Sequence, residues 1–467
     1  MRSWTALTAA LLVGAITPLG FAQDVNTNAS VLPTSGGHSD GRTLGPPPAP
    51  ENPAGQAPTP GPPPAGPGGP EELTKTLEKL GQGVEALSKR LTVLTVTDQV
   101  KLIWGGQIVA DFLFNESRPV AAGTPFFVSP PSPFGFSQQT FDAHARQTSL
   151  FALVQGPKLC CGALDFETGG LILVNLYNDA ILPDRYGFLP LQAWGHVKND
   201  EWRLAAGLQF DIFNPLNPTI LPFSYLMGSG NVGIFRGQAR VEHYCYLDGM
   251  TQVTLTAGIS EPIATALNTD FKTLTEDNGW PNLEGRAAIS FGRREGEGML
   301  AKRPIEFGVS GVVGQMRTTE FALVGNRVVA DVWGLGADIR VAFTPRCGVQ
   351  GEVYCGQGLG TYGGAILQNL STATFEPIAS KGGWAEFYFY WIPDCVHSHV
   401  GYGFDDPDRA DLALGQLDYN ETVFANLLWD VTKFLRLGLE LTLRKTEYVP
   451  RAKNDDVGVH WQAMWKF

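Results

Sequence analysis

Leu435-Arg436-Leu437-Gly438-Leu439-Glu440-Leu441-Thr442-Leu443-Arg444 is the stretch whose reading decides the fold. Every odd position is leucine, and the even positions carry Arg436, Gly438, Glu440, Thr442 and Arg444. At the two-residue period of a β-strand this gives one aliphatic face and one charged, wet face; a helix would scatter the charges around its circumference. After a polar connection, residues 446–456, alternation resumes with Val457, Val459, Trp461, Ala463, Trp465 and Phe467 on one side and His460, Gln462 and Met464 on the other. The two stretches read as the closing hairpin of a sheet. A row of leucines facing water would invite aggregation. Facing lipid, it is the expected outer wall of a transmembrane barrel, with aromatic side chains collecting near the interfaces.

Composition agrees with a barrel. Only 17% of the 467 residues are charged and 55 are glycine, and the mean hydropathy of -0.04 is too low for a bundle of membrane helices. Lipid-facing and lumen-facing residues of a barrel cancel to such a value. The net charge of -12 argues against a nucleic-acid partner. Arg2, the apolar run Ala6–Leu19 and Gly20-Phe21-Ala22 read as a secretory signal peptide over residues 1–22. No later window supplies the roughly 18 uninterrupted apolar residues of a membrane helix. Export without a helical anchor leaves the outer membrane, the periplasm or the exterior.

Residues 23–70, dominated by Pro, Gly and Ala, read as a semi-extended linker. Over residues 71–96, Leu73, Leu77, Leu80, Val84, Leu87, Leu91 and Leu94 repeat at steps of four and three, an a/d seam flanked by charges. Gly81 and Gly83 weaken so short a helix, so partner strands must supply its stability. The reading is a homo-oligomeric, trimeric coiled coil; leucine at both a and d does not fix the number by itself, and a helix packed on its own domain is the alternative.

Residues 98–467 hold sixteen candidate strands of an all-β antiparallel barrel, and the connections supply an internal check. If both ends of the barrel lie in the periplasm, every second connection must be short. Residues 198–200, 247–249, 345–347, 393–394 and 431–433 are such turns, and 292–303 is the long exception. The expected outer loops, 116–139, 211–233, 262–281, 357–382 and 405–418, are longer. The inward phase carries Arg146, Arg203, Arg236, Arg240, Arg286, Arg340, Arg436 and Arg444 among acids that include Asp111, Glu242, Glu284, Asp338, Glu352, Glu386 and Glu440. Arg236-x-Gln238-x-Arg240, two positions before Glu242, is the densest basic ladder and follows directly on the 211–233 loop. Should that loop fold inward, guanidinium forks beside it would favour carboxylates or phosphates.

These segments resemble the trimeric outer-membrane porins similar to DcaP. The resemblance rests on the Leu73 to Leu94 heptads, Gly105-Gly106-Gln107-Ile108, the segment His144 to Ser149, Gly230-Asn231-Val232-Gly233 before Arg236, and Asn426-Leu427-Leu428-Trp429-Asp430. It implies passive passage of dicarboxylates and related small anions, with Arg146, Arg236 and Arg240 meeting substrate carboxylates. The carboxyl-terminal Trp465-Lys466-Phe467 likewise resembles the assembly signal of bacterial outer-membrane barrels.

Of six cysteines, Cys347 and Cys395 form the expected bridge, both at periplasmic strand ends. Cys395, His397 and His399 share a strand face, but a fourth ligand is missing and lumen-facing histidines explain them; no metal or cofactor is expected. No Gly-x-Ser-x-Gly elbow or other nucleophile-base pairing points to an enzyme. The expected function is an outer-membrane diffusion porin, homotrimeric and embedded in lipid, passing small hydrophilic solutes with a preference for small anions. The alternative is a structural anchor tethering the envelope through its periplasmic arm.

Overall fold

The computed structural model describes residues 93–97, 99–120, 123–161, 164–177, 186–262, 280–294, 302–317, 329–450 and 452–467. Its strands run in chain order as β1 (Val93–Thr97), β2 (Val100–Asn115), β3 (Thr140–His144), β4 (Ser149–Cys161), β5 (Leu164–Tyr177), β6 (Tyr186–Lys198), β7 (Trp202–Phe210), β8 (Phe235–Tyr246) and β9 (Thr251–Ser260). They continue as β10 (Asn282–Phe291), β11 (Ile305–Arg317), β12 (Val329–Thr344), β13 (Cys347–Gln357), β14 (Ala379–Ile392), β15 (Val396–Pro407), β16 (Leu417–Thr432), β17 (Leu435–Tyr448) and β18 (Ala452–Lys466). β3 and β4 pair with successive parts of β2, so they are halves of one stave. With that merger, β2 to β18 make sixteen antiparallel staves, closed by β18 on β2 from Lys466 opposite Gln107 to Gly458 opposite Asn115. Closure gives each of the sixteen staves a neighbour on both sides, the condition for crossing lipid with strands.

The alternation in β17 is the one its leucines require. Arg436, Gly438, Glu440, Thr442 and Arg444 are buried inside, and the leucines form the outer face, Leu439 being 44% exposed. Trp104, Ile108, Phe112, Trp333, Leu335, Trp461 and Trp465 continue the apolar exterior around the wall. At the seam, Phe467 and Gly106 exchange backbone hydrogen bonds of 3.0 Å in both directions. The Phe467 ring lies 6.4 Å from that of Trp104, edge to face. Short and long connections alternate except at residues 292–304, long on the short side, and at residues 449–451, where strand pairing shortens the expected 446–456 connection to three residues. In the turn at residues 199–201, Asn199 Oδ1 accepts from the backbone N–H groups of Glu201 and Trp202, the side-chain turn chemistry that asparagine supplies.

Three expectations change or fall elsewhere. The signal peptide, the linker and the heptad seam from Leu73 to Leu91 lie outside the described residues, and Val93–Thr97 are strand, so Leu94 sits on β1 opposite Leu102. The expected coiled coil over residues 71–96 therefore does not extend through Val93–Thr97. Cys347 and Cys395 are both free thiols. The register of β13 on β14 places Cys347 opposite Phe389, six residues before Cys395, too far along the strand for a disulfide. The second stave is not continuous either. It breaks between His144 and Ser149, where Thr148 N–H turns back to Ala145 O at 3.1 Å and Thr148 Oγ1 accepts from Val109 N–H at 3.0 Å.

Candidate functional site: a lumen crossed by anchored loops

The connection between β7 and β8, residues 211–234, folds into the barrel. Phe213, Ile220, Leu221 and Val232 are fully buried there, which explains why an external loop is so apolar. Pro215, Pro218 and Pro222 remove three donors and hold the chain extended. Five of the remaining N–H groups in its first half, those of Ile212, Phe213, Leu216, Thr219 and Leu221, are aimed at glutamates on four wall strands. Ile212 and Phe213 donate to Glu284 Oε2 at 2.8 and 3.3 Å, and Leu216 to Glu352 Oε1 at 2.6 Å. Thr219 gives both its N–H and its hydroxyl to Glu386, at 2.7 and 2.9 Å, and Leu221 donates to Glu440 Oε2 at 2.8 Å. Wall side chains return the favour to loop carbonyls: Asn426 Nδ2 donates to Thr219 O at 2.6 Å and Gln147 Nε2 to Leu221 O at 2.9 Å. Carboxylate acceptors make these the stronger kind of hydrogen bond. The loop is thus fixed along the inside of β10, β13, β14 and β17.

Two further loops pack on it. In residues 358–378, Gly363 O accepts from Gly228 N–H at 2.9 Å and Tyr362 O from Gly233 N–H at 2.7 Å, while Asp405 accepts from Ile366 N–H at 2.9 Å and Tyr354 OH at 2.5 Å. In residues 116–139, Val128 N–H donates to Thr446 Oγ1 at 2.9 Å. Between loops and wall lie two apolar clusters, one around Phe213, Tyr354, Leu359 and Tyr362, the other around Phe126, Ile220, Leu226 and Phe424. Burial pushes the Tyr362 phenol well above its ordinary range, so it stays a neutral donor to Glu284 at 3.1 Å. Gly230, at φ +95°, sits where a Cβ would lie 2.2 Å from Gly383 O and 2.5 Å from Phe404 O. Gly230→Ala is therefore expected to unseat this segment, read as faster limited proteolysis within residues 211–234 while the heat-resistant barrel persists.

The predicted arginines separate into braces and lining. Arg236 is a brace, completely buried. Its Nε donates to Asp211 at 2.6 Å, its two terminal nitrogens to Glu261 O and Thr361 O at 3.2 Å each, and its guanidinium lies 3.7 Å over the Tyr362 ring. Such a group ties two loops together and offers nothing to a passing solute. Gln238, also buried, donates to the carbonyls of Gln209 and Phe210 at 2.9 and 3.0 Å. Arg444 is held inside by Asp456 at 3.1 Å and Asn115 at 3.5 Å. Arg146 lies on the break between β3 and β4 and not on a regular strand phase, paired with Asp142 at 2.7 Å. Arg436 forks onto Asp430 at 2.9 and 3.0 Å, with Lys466 on the same carboxylate.

Two groups sit on the wall away from the main loop anchors, the first with Arg203 buried behind Arg240, which keeps an accessible edge. On β7 and β8, Arg203 meets Glu242 at 2.5 Å, Arg240 meets the same carboxylate at 3.1 Å, and Tyr244 OH donates to it. Arg203 also lies 4.7 Å over the ring of Trp194. On β10 to β12, Arg286 bridges Asp338 at 2.6 Å and Glu306 at 2.9 Å, with Arg340 3.5 Å from Glu306. The first group has two cations for one anion; the second is balanced. Cys395, His397 and His399 do not converge: His397 Nδ1 and His399 Nε2 share a hydrogen bond of 2.9 Å, and Cys395 Sγ approaches Asp430 O at 3.7 Å. Among the described residues no cluster of three or more His, Cys, Asp or Glu is arranged to hold a metal ion.

The anchoring role of the glutamates escaped the sequence reading, which placed them on the lumen face only as wall charges. The spacing of prolines in an apolar outer loop is the signal that could have found it.

No protein-family model matches the sequence, and no curated protein does. Among solved structures, the outer membrane channel DcaP of Acinetobacter baumannii matches with a TM-score of 0.61 at 16% identity, over 80% of this chain and 99% of that one. The anion-selective porin from Comamonas acidovorans, 12% identical over 79% of this chain and 100% of that one, reaches 0.46. Salmonella typhi OmpF, in complex with daunomycin, is 10% identical over 80% of this chain and 100% of that one, at 0.49. Of these three, the first has a TM-score above 0.5. The chain has the closed sixteen-stave barrel fold of that outer-membrane channel.

Proposed function

We propose that this protein is an outer-membrane porin through which small hydrophilic solutes diffuse, with a preference for small anions such as carboxylates. The observation that carries the reading is the anchoring of the 211–234 loop chiefly along β10, β13, β14 and β17. A passage beside it runs past Arg203, Arg240 and Glu242, whose local sum is one positive charge. Guanidinium forks in a narrow, partly desolvated constriction orient carboxylates better than a net charge spread over the whole protein does. The protein assembles as a trimer, with residues 71–92 as its helical seam and the proline-rich segment as a periplasmic spacer.

The test is reconstitution in a planar bilayer under a salt gradient. Wild type is expected to conduct in steps of three with an anion-shifted reversal potential. In Arg203→Ala with Arg240→Ala the shift should relax by about half or more, because Glu242 then stands alone. A folded barrel that never conducts would count against the porin reading, and an unshifted potential against the arginine preference.

A further inference from the structure

A barrel lumen filled with water is expected to be polar on every inward position. One part of this one is not. Ile103 on β2, Leu153 on β4, Leu171 on β5 and Trp194 on β6 fall opposite one another in a single cross-strand row. Phe151 and Leu173 form the next row. The residues beside them in sequence, Trp104, Leu150 and Ile172, are the exposed outer phase, so this row is the inner one. Ile103, Leu171 and Trp194 form a packed floor, and Phe151, Leu153 and Leu173 keep part of their surface accessible.

The strip is not explained by the loops. Most of the hydrogen bonds that seat the 211–234 loop fall on β10, β11, β13, β14, β16 and β17, with Gln147, ahead of β4, holding Leu221 O from the strip's side; β13 stands eight staves from β5 in a ring of sixteen, directly across the barrel. The strip also ends in charge. Trp194 carries the Arg203 guanidinium 4.7 Å above its ring, and Arg203 shares Glu242 with Arg240. An apolar track leading to a pair of guanidinium groups matches a molecule with the same division: a hydrocarbon body and an anionic end.

We propose that the solutes this pore favours are monoanions with an apolar body, aryl or alkyl carboxylates, whose carboxylate meets Arg203 and Arg240 while the hydrocarbon moves along the strip from Ile103 to Trp194. The inference rests on the porin reading above and narrows its substrate class. A strip only partly accessible discriminates less than an enclosed pocket, where one methylene is worth about tenfold or more; about fivefold is the expected preference.

The experiment uses the full chain in planar bilayers. Bi-ionic reversal potentials give the permeability of 3-phenylpropionate and of gluconate, each normalised to chloride in the same channel. Wild type is expected to favour 3-phenylpropionate about fivefold. The ratio should fall close to one in Leu153→Asn with Leu171→Asn, and part of the way in Trp194→Gln, a milder change at the end of the strip that stands in should the double variant fail to fold. A wild-type ratio near one, with chloride current present, overturns the inference and leaves the porin reading intact. A ratio unchanged by the substitutions also overturns it, all the more if the variants lose heat resistance, since the strip would then be a packing surface. Absence of chloride current in a folded barrel removes both readings together.

Discussion

Replacing Glu386 and Glu440 by alanine is expected to raise single-channel conductance at least twofold and to make the open-channel current noisy, without unfolding the barrel. The two carboxylates hold the middle of the 211–234 loop against the wall, Glu386 through the N–H and hydroxyl of Thr219 and Glu440 through the N–H of Leu221. A hydrogen bond to a charged acceptor contributes about 1.5–3 kcal/mol, and every 1.4 kcal/mol is a tenfold change in an equilibrium. Losing two such anchors raises the unseated population of this stretch by two orders of magnitude or more. The barrel's ladder is untouched, because both side chains lie on the inner phase of β14 and β17 and take no part in closure. Removal also takes one acceptor each from Gln350 Nε2, on Glu386 at 2.7 Å, and Asn426 Nδ2, on Glu440 at 2.9 Å; these amides keep their bonds to the loop carbonyls of Asn217 and Thr219 at 3.2 and 2.6 Å, so the loop loosens without leaving the wall. Single-channel recording decides it: a conductance and a noise spectrum identical to wild type in a heat-resistant barrel would show that the loop does not set the bore.

The wall of this molecule was legible in its sequence and its interior was not, for a physical reason. A strand exposed to lipid on one side must repeat every two residues, and the leucines of β17 and the aromatics of β18 obey that rule wherever the neighbouring strands go. The parity of short and long connections follows from an even number of staves, with residues 292–304 and 449–451 as its exceptions. The interior obeys no such periodicity. Whether Arg236 faces water or a carboxylate depends on where residues 211–234 return, and that is settled by bonds to β10, β13, β14 and β17, dozens to hundreds of residues away. Residue type alone made Arg236 and Arg240 equivalent. The structure separates them: Arg240 keeps an accessible edge and Arg236 has none. The cysteines failed for a related reason. Proximity to the same rim was inferred correctly enough, but a disulfide needs Cα atoms within about 7 Å, and the register that decides this cannot be read from strand ends.

The same distinction yields the second large expectation. Arg236→Ala should destabilise the barrel with its loops by about 3–5 kcal/mol, the cost of leaving one partner of a buried ion pair uncompensated, and should do little to ion selectivity. Asp211 is fully enclosed; besides Arg236 at 2.6 Å it accepts from Ile234 N–H at 2.9 Å, and one backbone donor does not balance a buried carboxylate. The contacts of Arg236 to Thr361 O and the Tyr362 ring would go as well, leaving the 358–378 loop held to the 211–234 loop by the backbone bonds from Gly228 and Gly233. The measurement is the temperature at which the barrel loses its heat-resistant form, compared between the single variant and Arg236→Met with Asp211→Leu. The double variant removes both charges while keeping the volume, so it should recover most of the loss. If the single variant keeps its transition temperature and instead relaxes the reversal potential, Arg236 belongs to the solute path and its enclosure by Asp211 and Tyr362 is not the resting arrangement. If the double variant stays as unstable as the single one, what matters is the guanidinium fork joining two loop carbonyls, and the ion pair is secondary to those bonds.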